Sequence, residues 1–297
     1  MCKKGELIMC KLVTADLGSF NIKICVNKDT HNFENRFIQD NSIELFGTEH
    51  LIFENNTYIF NKGTFNKELC KTKKPFIISL LYGLSKVGVT GDINLILHLP
   101  ASSILGQKQI LIDALQSKEF EYICNGKNNN IRIKKLGVLK EGFSSFYSLS
   151  KRNNGLIAIM DIGGRSTEVF TFLNGQVEKE KSIALGTMDL FERIVDQLTN
   201  AGENRRLEDI QKLLDNNIIS MENYQTDINN ITKNLVNDIK MDIPNLSDYK
   251  IYLTGGGAEY LLEALKEHYK NVNEMQDNLF SNVLGAFEIG KAKGWNK

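Results

Sequence analysis

The sequence predicts an α/β protein made by duplication, two half-molecules that each run from a hairpin-rich sheet into helices. The first observation behind this is an internal echo. Asp161-Ile162-Gly163-Gly164-Arg165-Ser166-Thr167-Glu168 repeats the pattern of Asp16-Leu17-Gly18-Ser19-Phe20-Asn21-Ile22-Lys23. Each stretch follows an apolar run and precedes alternating residues, so each reads as strand, tight small-residue turn, strand, with an aspartate closing the first strand. The second observation is Asn174-Gly175 between two alternating runs, a pair that tolerates positive φ and marks a hairpin. The third is the return of helical patterns after the hairpins in both halves.

Taken in order, residues 7–16 and 21–28 form the first hairpin, where Ile22, Ile24 and Val26 alternate with Lys23, Cys25 and Asn27. Residues 31–74 are polar, Asn-rich and short-stranded, and read as a small insertion. Pro75 opens a helix over 76–87, which Gly88 ends. Ile93 to Leu99 is an apolar strand stopped by Pro100, and 104–117 is helical. Strands at 120–124 and 131–136 precede a helix from about 142. The second half restarts with strands at 156–161, 166–173 and 176–183, then helices near 187–199 and 206–215. Residues 216–248 read as a polar helical insertion. The strand Lys250 to Leu253 meets Gly255-Gly256-Gly257, which opens a helix at about 258–269, and a last helix covers about 280–291. With only three prolines and no Pro- or Ser-rich stretch, the halves are joined by structured segments rather than a tether.

Composition sets bounds on function. A chain of 297 residues, 42% hydrophobic and 24% charged, is ordinary globular protein with a sizeable core. Lys+Arg and Asp+Glu are both 36, so there is no electrostatic footprint for nucleic acid, and one barrier to self-association is lowered. Five scattered cysteines without a Cys-x-x-Cys fit a reduced, cytoplasmic protein better than a disulfide or zinc framework. His31, His50, His98 and His268 form no ligand cluster and read as ordinary surface or core histidines. The longest apolar run, Pro75 to Leu84, is too brief for a membrane span, and Met1 to Glu6 lacks a secretory signal.

Two aspartate-tipped turns facing each other make a clamp for a polyphosphate and its metal ion. Phosphate oxygens need convergent N–H donors and a cation, and turns of small residues present their amides without obstruction. Gly18-Ser19 and Gly163-Gly164 suit that task; Ser19, Ser166 and Thr167 add hydroxyls, and Lys23 adds a point charge. Asp16 and Asp161 would hold Mg²⁺ through its hydration shell, since two carboxylates are held together best with a cation between them. Gly255, Gly256 and Gly257 allow a flat base or sugar to approach a helix N-terminus. Glu141, in Lys140-Glu141-Gly142, is placed to orient or deprotonate an attacking water, though a helix-start glutamate facing the macrodipole is the plainer reading of that residue alone. Neither a Rossmann fingerprint nor a P-loop is present.

These four elements, in this order, resemble the nucleotide site of the actin, sugar-kinase and heat-shock-chaperone superfamily. Asp16-x-Gly18-Ser19-x-Asn21-Ile22-Lys23 resembles the first phosphate loop of the ParM-type bacterial plasmid-segregation actins. The resemblance spans nearly the whole chain as an arrangement, but only four short motifs at residue level. It implies an actin-like two-lobed ATPase fold, each lobe a ribonuclease-H-like core with a small insertion. Lobe I would be 1–153, with its insertion at about 31–74 and completion by a C-terminal helix at about 280–297; lobe II would be 154–279, with an insertion at about 200–248. It further implies that Asp16, Gly18, Ser19, Phe20, Asn21 and Lys23 form the first phosphate loop, and Asp161, Gly163, Gly164, Arg165, Ser166 and Thr167 the second. Gly255, Gly256 and Gly257 would lie by the adenosine, Glu141 would position water, and Gly186 and Gly285 match small residues of the lobe-connecting helices. Two residues depart from the pattern: bulky Phe20, and Arg165, which could touch phosphate, pair with Glu168 or reach a neighbouring subunit.

The function so implied is an ATPase, using ATP (or GTP) and Mg²⁺, that polymerises into dynamic filaments. It would move a plasmid through a DNA-binding adaptor on the plasmid centromere, without touching nucleic acid or membrane itself. A small-molecule kinase of the sugar/acetate kinase superfamily is the alternative.

Overall fold

The computed structural model describes residues 10–150 and 155–296. The start of the first expected strand (7–9), Cys2 with the rest of the N-terminal segment, the expected lobe boundary at 153/154, and Lys297 lie outside the described residues. The chain forms two sheets built on one frame. In the first half β1 (Lys11–Leu17), β2 (Asn21–Val26) and β3 (Asp29–Glu34) form an antiparallel meander, and β7 (Gly91–Leu99) and β9 (Lys127–Lys140) extend it as parallel strands beyond β1. In the second half β10 (Leu156–Ile162), β11 (Thr167–Leu173) and β12 (Gln176–Ile183) repeat the meander, and β13 (Lys250–Thr254) and β14 (Val272–Glu274) repeat the parallel pair. The orders β3-β2-β1-β7-β9 and β12-β11-β10-β13-β14 are the same topology written twice.

The first sheet is wider. β8 (Glu119–Cys124) folds back on β9 and receives β5 (His50–Phe53), β6 (Asn56–Phe60) and β4 (Phe37–Gln39), giving nine strands against five in the second sheet. The polar segment after β3 thus extends the sheet, while β3 itself is the third strand of the frame. β9 also runs well past the expected 131–136, and a 3-10 turn, Ser144–Ser148, stands where a helix was expected from 142.

Strand periodicity sorts the cores. On β1 and β2, Val13, Ala15, Ile22 and Ile24 face α1 (Phe76–Lys86) and α2 (Ile104–Leu115), while Leu12 and Cys25 face α7 (Ser281–Ala292). On β10, Ala158, Met160 and Ile162 face a helical layer of α3 (Thr187–Asn200), α4 (Leu207–Asp215), α5 (Gln225–Asp242) and α6 (Ala258–His268). Ile157 and Ile159 face the other way, with Phe170 and Phe172 of β11, onto Phe146 and Ala101. Each fully buried phenylalanine of that layer contributes roughly 1.5–3 kcal/mol. The segment expected to be a polar insertion holds α5, which buries Ile228, Ile231, Leu235, Val236 and Ile239 at helical spacing and is a core helix.

Candidate functional site

The two hairpins end in turns with the same backbone closure. The Gly18 amide donates to the Asn21 carbonyl at 2.9 Å, and the Gly163 amide donates to the Ser166 carbonyl at 2.9 Å. Asp16 pairs across the ladder with Lys23, and Asp161 with Glu168, so both aspartates occupy equivalent places at the strand ends. The first turn is pinned from lobe I: Asn35 donates from Nδ2 to the Gly18 carbonyl at 2.6 Å, and Ser79 of α1 donates to Asn35 Oδ1 at 2.7 Å. The second turn seats its carbonyls on the start of α3, where Thr187 N–H reaches Gly163 O at 2.9 Å and Met188 N–H reaches Gly164 O at 2.8 Å.

Both turns open into one cleft of about 340 Å³, within the range of small-molecule sites. Asp16, Gly18, Ser19, Phe20, Asn21 and Lys23 line it from the first half, with Glu141. Asp161, Gly163, Gly164, Arg165, Ser166 and Gly256 line it from the second. Five expected residues do not reach it. Thr167 is buried and donates to the Leu185 carbonyl at 2.8 Å. Gly186 is pressed against the Gly163-Gly164 backbone, where a Cβ has no room, and Gly257 against Ile162 and Thr187. Gly255 holds φ +85° directly beneath Asp161, a conformation and a proximity that exclude a side chain. Gly285 lies on α7 against the Ser144 carbonyl. These positions shape the walls rather than the surface of the cleft.

Phe20 and Arg165 find places that the sequence left open. Phe20 crosses from its turn into the second half's core, its ring 4.8 Å from Phe65 and 5.8 Å from Phe191 by centroids. Arg165 turns away from Glu168: its Nε donates to the Lys67 carbonyl at 3.0 Å, and its guanidinium lies 3.8 Å from Asp189.

Sequence reasoning named Lys23 but missed Lys71 and Lys74. Lys71, on a 3-10 turn Lys71–Lys73, is buried with its Nζ 2.7 Å from Asp16 Oδ1 and paired also with Glu141. Lys23 stands 3.7 Å from the other Asp16 oxygen. Lys74 donates to Ser19 Oγ at 2.7 Å. Burial would raise the Asp16 carboxyl, but the Lys71 and Lys23 charges overcome it and hold the group well below the usual range. Burial, reinforced by the Lys71 charge, lowers Lys74 to about 8. At Asp161 burial, with the Glu141 and Asp16 charges, outweighs the Lys23 charge and lifts the carboxyl to about 6. Its Oδ2 accepts from Asn282 Nδ2 at 2.6 Å, and Asn282 Oδ1 in turn accepts from the Gly142 amide at 2.9 Å and Ser145 Oγ at 2.9 Å. The run Lys71-Thr72-Lys73-Lys74 falls in the segment that the sequence reads as a small polar insertion, and Asn282 carries no local signal at all.

The remaining wall comes from α4 and α6. Gln211, Lys212, Asp215 and Tyr260 line it together with Thr187 and Leu279, and the Tyr260 hydroxyl donates to Gln211 Oε1 at 2.9 Å. The cleft thus has a charged end at the turns and a half-aromatic end at the helices. That division fits a phosphorylated ligand with a flat, polar body. No cluster of three or more His, Cys, Asp or Glu among the described residues would hold a metal unaided. Two carboxylates at the charged end fit a divalent ion carried in on phosphate oxygens and water.

Residues 159–267, from β10 through α6, match the sequence model of the family described as archaeal actin homologue MreB-like, C-terminal. No curated protein matches the chain. Among solved structures, the archaeal actin homologue Ta0583 in complex with ADP superimposes with a TM-score of 0.81 at 15% identity, covering 95% of this chain and 99% of that one. The 15-stranded ParM filament from Clostridium botulinum gives 0.75 at 16% identity, covering 96% and 100%. AlfA from a B. subtilis plasmid, in its filament, gives 0.63 at 18% identity, covering 93% and 98%. The chain therefore has the two-lobed actin-like fold, and its second lobe carries the sequence signature of the MreB-like actin homologues.

Proposed function

We propose that the protein is a filament-forming ATPase whose cleft binds Mg-ATP between its lobes. The observation that carries this reading is the pair of equivalent aspartate-tipped turns, closed by the same backbone bond and opening on one cleft beside Glu141. The turn amides at Gly18-Ser19 and Gly163-Gly164, with the Ser19 and Ser166 hydroxyls, would bind the phosphates, and Lys23 and Lys74 would add charge. Asp16 and Asp161 would hold the water shell of Mg²⁺, which when bound supplies charge neutralisation on the phosphate oxygens. Glu141 would accept a hydrogen bond from the attacking water and orient it. Gln211, Lys212, Asp215 and Tyr260 would meet the nucleoside, while Gly255 and Gly257 shape the floor beneath Gly256.

Assembly follows from the same cleft. A ligand that touches both lobes favours the lobe arrangement that suits the next subunit, and losing the terminal phosphate removes part of that bridge. Repeated head-to-tail contacts that do not close make a filament. That ParM and AlfA have been solved as filaments, and Ta0583 in complex with ADP, supports the reading. We assign plasmid segregation through a DNA-binding adaptor, in the cytoplasm, as the cellular role, consistent with balanced charge and with no helix among the described residues long and apolar enough to cross a membrane. The small-molecule kinase reading gains no support from these relatives.

Light scattering and negative-stain electron microscopy with Mg²⁺ and either ATP or GTP test this directly. Nucleotide-dependent filaments at micromolar protein are expected. Bound nucleotide without any polymer, or steady phosphorylation of a sugar or carboxylate acceptor, would overturn it.

A further inference from the structure

We infer that Lys71 is the positioning residue for Glu141, and that a cross-cleft strap, residues 61–70, delivers it only while the strap is docked on the second lobe. The inference rests on the ATPase reading above and deepens it. Three observations carry it.

First, Lys71 is the one partner of the Glu141 carboxylate among the described residues. The Glu141 main chain is fixed, its amide donating to the Leu99 carbonyl at 2.9 Å, but its side chain forms no other ion pair or hydrogen bond there. The side chains of Lys71, Asp16 and Glu141 are 9%, 7% and 13% exposed, so the ammonium is shared in a nearly dry site. A carboxylate left without a partner in such surroundings swings toward solvent and presents no fixed acceptor to a water. Lys71 keeps Glu141 aimed.

Second, Lys71 belongs to neither sheet. It ends a strap that leaves β6 in lobe I and crosses to lobe II. Phe65 is buried there beside Phe20 and Phe191, and its amide donates to the buried Glu208 carboxylate at 2.8 Å. Lys67 pairs with Glu192 at 2.6 Å, and its carbonyl accepts from Arg165.

Third, the strap is short where it matters. Five residues separate Phe65 from Lys71, and the six chain steps between them span at most about 20 Å when extended. Beyond Lys71 the chain is tied to lobe I, with the Thr72 amide on Gln107 Oε1 at 3.0 Å and Lys74 on Ser19. Withdrawing Phe65 from lobe II therefore shifts the segment that places Lys71. Lobe docking and the orientation of Glu141 are linked through one covalent segment, which makes hydrolysis responsive to how the lobes sit.

The test compares wild type with Lys71→Met, Lys71→Gln, Glu141→Gln, Phe65→Ala and the Lys71→Met/Glu141→Gln double variant. Affinity is read with a fluorescent mant-ATP analogue and Mg²⁺, and hydrolysis of bound ATP by single turnover, after thermal unfolding has confirmed which variants are folded. Lys71→Met and Lys71→Gln are expected to keep mant-ATP affinity within about tenfold and to slow hydrolysis on the order of 100-fold. The double variant should be no slower than Glu141→Gln alone, because both substitutions remove one function. Phe65→Ala, with Lys71 intact, should slow hydrolysis about tenfold. Lys71 variants that hydrolyse at the wild-type rate overturn the inference, as does a double variant whose losses multiply, or a Lys71 defect confined to affinity. Should Lys71→Met not fold, Lys71→Gln and Phe65→Ala decide the matter by the same readings. Wild-type protein that takes up no mant-ATP would overturn the ATPase reading itself and this inference with it, whereas active wild type beside an unaffected Lys71→Met overturns this inference alone.

Discussion

Glu168 shows what a single residue does when the lobes meet. It lies on β11 one residue past the second turn motif and is 1% exposed; its Oε2 accepts from the Ala101 amide of the first lobe at 3.2 Å and from the Ser182 hydroxyl of its own lobe. Its Oε1 has no hydrogen-bond partner among the described residues. Burial first, then the negative charge of Glu141 and that of Asp161, push the carboxyl up to about 8, so it is protonated at neutral pH. The folded protein then binds a proton that the unfolded chain has released at pH values between its ordinary 4.5 and about 8. The contribution of Glu168 to stability is therefore whole below about pH 4.5, falls as pH rises and is gone above about pH 8. Glu168→Gln keeps the acceptor for Ala101 and Ser182 and cannot ionise. Its thermal midpoint should decline less than that of wild type between pH 6 and pH 9. Parallel curves for the two proteins would show that this group does not carry the effect.

At the scale of an element, α7 binds the halves together. It packs on β1 and β2 of lobe I, with Thr14 Oγ1 donating to the Val283 carbonyl at 2.7 Å, yet its Asn282 holds Asp161 of lobe II. The helix approaches the Ser144–Ser148 turn so closely that a Cβ on Gly285 would overlap the Ser144 carbonyl oxygen. Gly285→Ala must push that turn away from the helix, at a cost of about 1–3 kcal/mol or more, and disturb the Asn282 bonds to Gly142 and Ser145 beside Glu141. Urea unfolding should show the loss as a lowered midpoint with an unchanged slope. An unchanged midpoint would mean that the contact relaxes freely. The sequence marked Gly285 only as a small residue on a connecting helix. Its backbone neighbour is 141 positions away, beyond the reach of any local pattern.

For the molecule as a whole, two lobes share one cleft, so the proposed function makes nucleotide binding, lobe docking and assembly parts of one equilibrium. Glu141→Ala should leave ATP binding largely intact, slow hydrolysis by orders of magnitude and give long-lived filaments, seen as a light-scattering plateau that outlasts the wild-type signal. Polymers that turn over as fast as wild type would remove Glu141 from the water-orienting role.

What the sequence determined by itself was local and repetitive. Alternation fixed the two meanders, small residues fixed the turns, and an aspartate at each first-strand end fixed where the halves converge, because strand period and turn chemistry act over a few residues. The tertiary structure alone decided which cations face those aspartates, that α5 is core, that Phe20 and Phe65 enter the opposite lobe, and that Asn282 holds Asp161. Those contacts join residues far apart in the chain, and a lysine run or a lone asparagine looks the same in sequence whether solvent or a buried carboxylate awaits it.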